Sequence, residues 1–316
     1  MRVVAALGGN ALLERGENPD ATIQQHHILR AVEALAPLCR DHDVVITHGN
    51  GPQVGLLALE SDADRALSRA YPLDALGAQT QGMIGYWLAQ ALRNAVPTET
   101  FAALVCQTVV GIDDPGFANP SKFVGQVYEQ AEAERLAKDR NWEIRQDGHT
   151  WRRVVPSPLP REIVELPVIE RLLSSGFGVI CCGGGGIPVV REAHGQLRGI
   201  EAVIDKDRTA ALLAEQLGAE ALLLLTDVAA VEADYGTPTA RAIRETSSAE
   251  LSQLKLPAGS MGPKVEAACS FVDATGHQAA IGRLEDAGEL LAGTRGTVIR
   301  RSASQAGVTS RGQEGR

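Results

Sequence analysis

The sequence predicts an α/β protein built on a mainly parallel sheet with helices on both faces. Three observations predict it. Short, nearly continuous apolar runs alternate with segments of helical periodicity, the pattern of repeated βα units whose strands are buried on both sides. Glycine, 33 of 316 residues, is clustered in LGGN, HGNG, CCGGGGIP and GSMG, which the pattern places after strands. The composition, 44% hydrophobic and 22% charged, can fill a substantial core and is far from that of a disordered chain.

The first strand is Val3 to Leu7, ending in Gly8-Gly9-Asn10. Asn18-Pro19 opens a helix whose core face is Ile28, Val32, Leu35 and Cys39. Val44 to Thr47 is a second strand, followed by His48-Gly49-Asn50-Gly51 and by Pro52 at the first helical position. A helix over Asp74 to Asn94 and a strand over Phe101 to Val110 come next. From 113 to 160 the alternation breaks into DDPGFANPSK, a charged helix (Val127 to Arg140) and the proline-rich WRRVVPSPLP, an expected inserted, protruding lid subdomain. The alternation resumes with helix Glu162 to Ser175, strand Gly178 to Cys182, the GGGGIP turn and a hairpin through Ala193 to Gln196. Helix 207 to 217, strand 221 to 226, helix 263 to 275, strand 278 to 282 and a strand near 297 to 300 complete the main domain, 1 to 300. The polar residues 301 to 316 are expected to form a disordered tail.

Ligands of such sheets bind outside the carboxyl ends of the strands, so the glycine turns should gather at one edge and offer backbone N–H groups to an anion. Tight turns made for packing alone are the competing explanation. There is no GxxxxGK[ST], and GGGGIP lacks the GxGxxG spacing of a dinucleotide site. The cations are 25 arginines and only five lysines, three of which sit in turn-rich segments: Lys122 in NPSK, Lys206 in IDKD and Lys264 in GSMGPK. A compact ammonium suits a moving phosphoryl group differently from a planar guanidinium, and phosphoryl transfer asks mostly for positioning and positive charge. Asp205 and Asp207 flank Lys206 closely enough to hold its ammonium, while Asp207 as the N-cap of helix 207 to 217 is an equally sufficient explanation. Asp227 ends an apolar strand at the ligand edge, with capping again the alternative. His26, His27, His149 and His194 form no catalytic set, and His48 is placed to orient its glycine turn. Strand alternation sends Cys181 and Cys182 to opposite faces.

Taken together, LGGNAL (7 to 12), ITHGNGPQVG (46 to 55), QGMIGYWL (81 to 88), WRRVVPSPLP (151 to 160), ICCGGGGIPV (180 to 189), EAVIDKD (201 to 207), LLTDV (224 to 228) and GSMGPKVEAA (259 to 268) resemble the carbamate kinase family of the amino acid kinase superfamily. The resemblance implies a three-layer αβα sandwich on an open, mainly parallel eight-stranded sheet, with a small protruding subdomain, and a homodimer. It also implies the reversible reaction ATP + carbamate ⇌ ADP + carbamoyl phosphate, with Mg2+ on the nucleotide, used to recover ATP in arginine or purine catabolism. Carried over residue by residue, it makes Lys206, Lys264 and Lys122 the phosphate-stabilising cations, and Gly8, Gly9, Asn10, Gly49, Asn50 and Gly51 the cradle for carbamate and the γ-phosphate. Thr226, Asp227, Tyr235, Met261 and Gly262 fall in the nucleotide region. The family pattern reads DPAF, NPTK and PIGP where this chain has DPGF, NPSK and FVGQ, and DGHT replaces a DGRG-like run before Trp151; these departures lie in and around the expected lid. A kinase acting on a larger carboxylate and a nucleotide-responsive regulatory protein are the other readings that the motifs leave open.

The remaining composition narrows the partners. A net charge of -9 argues against a nucleic-acid binder that relies on phosphate neutralisation. Five cysteines without CxxC spacing suggest neither a disulfide framework nor a zinc site and fit a reduced cytoplasm. No apolar run approaches the roughly 20 residues of a membrane span.

Overall fold

The computed structural model describes residues 1–14, 16–254 and 261–302, with Asn10 described by its backbone alone. Its centre is an eight-stranded sheet in the order Glu245–Ser247, Thr297–Arg300, Gln278–Arg283, Ala221–Thr226, Arg2–Leu7, Asp43–His48, Gly178–Ile180, Phe101–Ala103. The six strands from Gln278–Arg283 to Phe101–Ala103 run parallel; Thr297–Arg300 pairs antiparallel with Gln278–Arg283 and parallel with Glu245–Ser247. The expected three-layer α/β sandwich is the observed one.

Alternation along each strand divides the core into two. Val4, Ala6, Leu222, Leu224, Ala279 and Ile281 face helices Leu166–Ser174, Lys206–Gln216 and Met261–Thr275. Val3, Ala5, Leu7, Leu223, Leu225 and Ala280 face helices Ala21–Asp41, Leu73–Ala95 and Ala287–Leu291. Because both faces are covered, nearly every position of these strands is apolar, which is why they read as runs rather than as alternations.

Several boundaries differ from the sequence expectation. Phe101 to Val110 is two strands: Phe101–Ala103 closes the main sheet, and Gln107–Val110 joins a second, four-stranded sheet with Leu197–Gly199, Ile187–Arg191 and Pro160–Ile163. The change of sheet is held at Cys106, whose N–H donates to Gln81 Oε1 (2.7 Å) and whose carbonyl accepts from Gln81 Nε2 (3.1 Å). The helix expected from Glu162 begins at Leu166, after that added strand. The helix expected from Val127 begins at Gln130, because Lys122–Tyr128 is a strand, paired with Thr150–Val155, which in turn pairs with Glu143–Asp147. Tyr128, Ala133 and Leu136 are buried in this small unit, with Trp142, Ile144 and Trp151 packed against them. Residues 303–316 of the expected tail lie outside the described residues. Among the described residues no helix is long and apolar enough to cross a membrane.

Phe271, with no exposed surface, fills the layer between helix Met261–Thr275 and the sheet. Phe271→Ala should lose about 3–5 kcal/mol, the usual result of emptying a closed aromatic site. Urea unfolding measures it, and a loss under about 1 kcal/mol would contradict this packing.

Candidate active site

Three glycine turns meet at the carboxyl edge of the parallel strands. The Gly8 N–H donates to the Leu225 carbonyl (2.9 Å), tying the first turn to the end of Ala221–Thr226. Gly9 then enters a short 3-10 turn, Gly9–Ala11. A Cβ on Gly49 would stand 2.9 Å from the Gly9 Cα, so the second turn can lie against the first only as glycine. Asn50 is buried, donates from Nδ2 to Thr80 Oγ1 (2.8 Å), and roofs Gly184, where a Cβ would fall 2.2 Å from that amide. The third turn, Gly183–Gly185, is underpinned by Thr108 and Thr209, whose hydroxyls donate to the Gly185 carbonyl at 3.0 and 2.9 Å. Its contact with Ile204 brings it beside the DKD segment. Gly51 opens helix Gly51–Ala63, with Pro52 in its first turn.

The last element described before the fourth cluster is the helix Ser248–Leu251. Gly259 and Ser260 lie outside the described residues, while Met261 and Gly262 are the first residues of helix Met261–Thr275, which carries Lys264 in its first turn.

The charged residues assemble into one network. The Lys206 ammonium donates to Asp207 Oδ1 (2.5 Å), and the Lys264 ammonium donates to Asp207 Oδ2 (3.1 Å), so one buried carboxylate holds two ammoniums. Asp205 takes a different place from the one expected. It is the N-cap of helix Lys206–Gln216, accepting from the N–H groups of Asp207 and Arg208, and its Oδ2 accepts from the Lys122 ammonium (2.5 Å). The cap therefore belongs to Asp205 and not to Asp207, and Lys206 is hydrogen-bonded to Asp207, with the Asp205 charge adding a weaker attraction. Asp205 has the extended backbone of a cap (φ -74, ψ 122), which turns its carboxylate back over the helix start, whereas Asp207 is already helical and projects sideways to both lysines.

Burial raises the Asp207 carboxyl, but the ammoniums of Lys206 and Lys264 outweigh it and hold the group below the usual carboxylate range. Burial opposes ionisation of Asp205 too, and Lys122 more than offsets this. Burial pulls the Lys206 ammonium below the ordinary lysine range, against the attraction of Asp207. His48 is pushed down to about 4 by burial, with the Lys206 charge acting in the same sense, so at neutral pH it is uncharged. Its Nδ1–H donates to the Gly49 carbonyl (2.9 Å) and its ring packs on Gly183, the orienting place expected of it.

Other expected residues lie apart from this network. Thr226 donates from Oγ1 to Asp227 Oδ1 (3.1 Å) at the end of its strand. Both line a cavity of about 360 Å³ with Ala11, Glu14, His27, Arg30 and Arg283 to Glu285. Tyr235 is 64% exposed at the turn between Glu232–Ala233 and Arg241–Ala242, and makes no hydrogen bond to the network among the described residues. Cys182 departs from the strand expectation: its backbone is left-handed (φ 52), which turns its thiol to the same buried cluster as Cys181 and Cys106 instead of to the opposite face. Sequence reasoning passed over Thr108, Thr209 and Gln81. An isolated threonine or glutamine in a strand or helix carries no local signal that it braces a turn far away in the chain.

The chain is similar to known proteins. The chain matches the amino acid kinase family over residues 1–283. It is 54% identical over 308 residues to the carbamate kinase of Rhizobium meliloti (strain 1021), covering 96% of this chain and 94% of that one. It is 51% identical over 300 residues to the carbamate kinase of Haemophilus influenzae (strain ATCC 51907 / DSM 11121 / KW20 / Rd), covering 95% and 96%. The chain belongs to the carbamate kinases of the amino acid kinase family. The solved structure of carbamate kinase from Giardia lamblia bound to AMP-PNP superposes with a TM-score of 0.85 at 40% identity, over 95% of this chain and 98% of that one.

The network makes stability depend on acid in a stated direction. Asp205 and Asp207 have folded-state pKa values below the unfolded value of about 3.9, so their contribution is complete above that value and is lost as pH falls through the lower, folded values. Asp205→Asn should cost about 1–3 kcal/mol at pH 7 and lose less further stability than wild type on acidification below about pH 5. Urea midpoints measured across that range decide it; parallel pH profiles for the two proteins would show that Asp205 is not a source of the dependence.

Proposed function

We propose that the chain catalyses the reversible transfer of a phosphoryl group between ATP and carbamate, giving ADP and carbamoyl phosphate. The observation that carries this reading is the network beside the glycine turns in which three ammoniums, those of Lys206 and Lys264 buried and that of Lys122 half-buried, are held by two buried carboxylates. An anionic ligand completes such a site. A carbamate oxygen would attack the γ-phosphorus while the bond from that phosphorus to the ADP oxygen breaks, so no proton has to be removed from the nucleophile. His48, which packs on the glycine turns, is buried and neutral, which suits this chemistry. The difficulty is that two anions must meet, and fixed ammoniums and backbone N–H groups relieve it without reorganising at the moment of transfer.

In this reading Lys206, Lys264 and Lys122 stabilise the transferring group, and Asp207 and Asp205 hold them. Gly8, Gly9, Asn10, Gly49, Asn50 and Gly51 cradle carbamate and the γ-phosphate, and Thr226, Asp227, Tyr235, Met261 and Gly262 receive the nucleotide. The donor set does not fit a resident Mg2+: the oxygens of Asp205 and Asp207 already accept from ammoniums or backbone N–H groups, and no group of three metal-binding side chains occurs among the described residues. Magnesium would arrive on the phosphates, where it neutralises charge. Residues 113 to 160 act as the lid, closing over a substrate too small to be gripped by shape. The homodimer, the cytoplasmic location and recovery of ATP in arginine or purine catabolism complete the proposal, on the resemblance to the family.

A coupled assay supplying ADP and carbamoyl phosphate should yield ATP; no ATP from folded protein would refute the reading. Lys206→Ala should keep near-native nucleotide affinity and lose about 10²–10³ in kcat. Lys206→Arg should restore little, because the guanidinium is larger and differently hydrated. A Lys206→Ala kcat within about threefold of wild type, some 0.7 kcal/mol in barrier height, would remove Lys206 from the transition state.

A further inference from the structure

The helix that begins at the second glycine turn and the strand that carries Lys122 meet backbone to backbone at a pair of glycines. A Cβ built on Gly55 would lie 2.2 Å from the Gly125 Cα and 2.5 Å from its nitrogen, so the two backbones meet with no room for any side chain on Gly55. Gly55 is one turn into helix Gly51–Ala63. Gly125 is three residues beyond Lys122 in strand Lys122–Tyr128, at the irregularity where pairing with Thr150–Val155 shifts, and has φ 73, in the left-handed region. Around the pair, Val54, Leu73, Leu76, Val124, Val155 and Val203 form one buried cluster, and the seam holds a cavity of only about 10 Å³. Arg152 fastens the outer side, donating from Nη2 to the Gly125 carbonyl (2.8 Å) and from Nη1 to Asp147 (3.2 Å).

We propose that the Gly55–Gly125 contact is the seat that sets where Lys122 stands against Asp205, which makes both glycines positioning residues for phosphoryl transfer. The inference rests on the reading above, in which Lys122 stabilises the transferring group. The argument is mechanical. Lys122 and Phe123 are paired to Val155 and Val154, so the strand moves as part of its small sheet. A Cβ at Gly55 has to push the Gly125 backbone away by more than 1 Å to reach ordinary contact, and the sheet carries that displacement to the Lys122 ammonium, now 2.5 Å from Asp205. A misplacement of about 1 Å at a catalytic group can cost up to about 10²-fold in rate. The seat also gives the phosphate turn and the lid strand a common reference, because the helix bearing Gly55 starts at Gly51.

A double-mutant cycle tests this. Gly55→Ala should lower kcat by about ten- to a hundredfold with nucleotide Kd within about twofold of wild type. In a Lys122→Ala background, already slow, the same substitution should change kcat by less than about twofold, because it acts only through the missing ammonium. Arg152→Gln, which frees the Gly125 carbonyl without entering the seam, should show the same dependence on Lys122 with a smaller loss, and it decides the matter should Gly55→Ala fail to fold by circular dichroism. Losses that multiply in the Lys122→Ala background would overturn the seat while leaving the role of Lys122 intact. Wild-type kcat in folded Gly55→Ala would overturn the seat directly. Wild-type kcat in Lys122→Ala would overturn the role of Lys122 and the seat with it.

Discussion

Ammoniums that stand side by side in a buried pocket repel one another and resist desolvation, and the rest of the structure answers that constraint. Asp207 meets it for two of them, Lys206 and Lys264, with one oxygen for each. Asp205 pairs with a third ammonium, that of the half-buried Lys122, while its other oxygen caps a helix. A buried charge left without such partners would shed its proton or disrupt the fold.

Placing these five side chains together requires the parallel sheet. Lys206 and Lys264 open two helices on the same face, and Arg208 and Glu266, paired at 2.6 Å, hold the two helix starts against each other. The glycine turns leave adjacent strands at the same edge, and the close approach of Gly49 to Gly9 and of Gly184 to Asn50 lets backbone, not side chain, form the floor. Lys122 is the exception, since it comes from the small three-stranded sheet. The site is therefore divided between a rigid floor and a strand whose position depends on one seam.

Much of this was legible in the sequence, for identifiable reasons. The apolar runs of the parallel strands announced themselves because both faces are buried, and the glycine clusters because close backbone approach excludes side chains. The three lysines stood out against a background of arginine. What was not legible depends on the backbone conformation of single residues and on partners distant in sequence. Asp205 and Asp207 are chemically identical neighbours, and only the helix start decides that one caps and the other bridges. Cys181 and Cys182 followed strand alternation until a left-handed residue at 182 broke it. The division of Phe101 to Val110 between two sheets is set by Gln81, some twenty-five residues away.

Asp207 holds the Lys206 ammonium in place and favours its charged form before any substrate arrives. With only five lysines in the chain, lysine side chains enriched in 15N and 13C give a spectrum simple enough to follow each ammonium through a pH titration. In the substrate-free protein Lys206 should titrate below the ordinary lysine range, and Asp207→Asn should shift it further down. A Lys206 that titrates in the ordinary lysine range, or identically in wild type and Asp207→Asn, would show that Asp207 does not hold it.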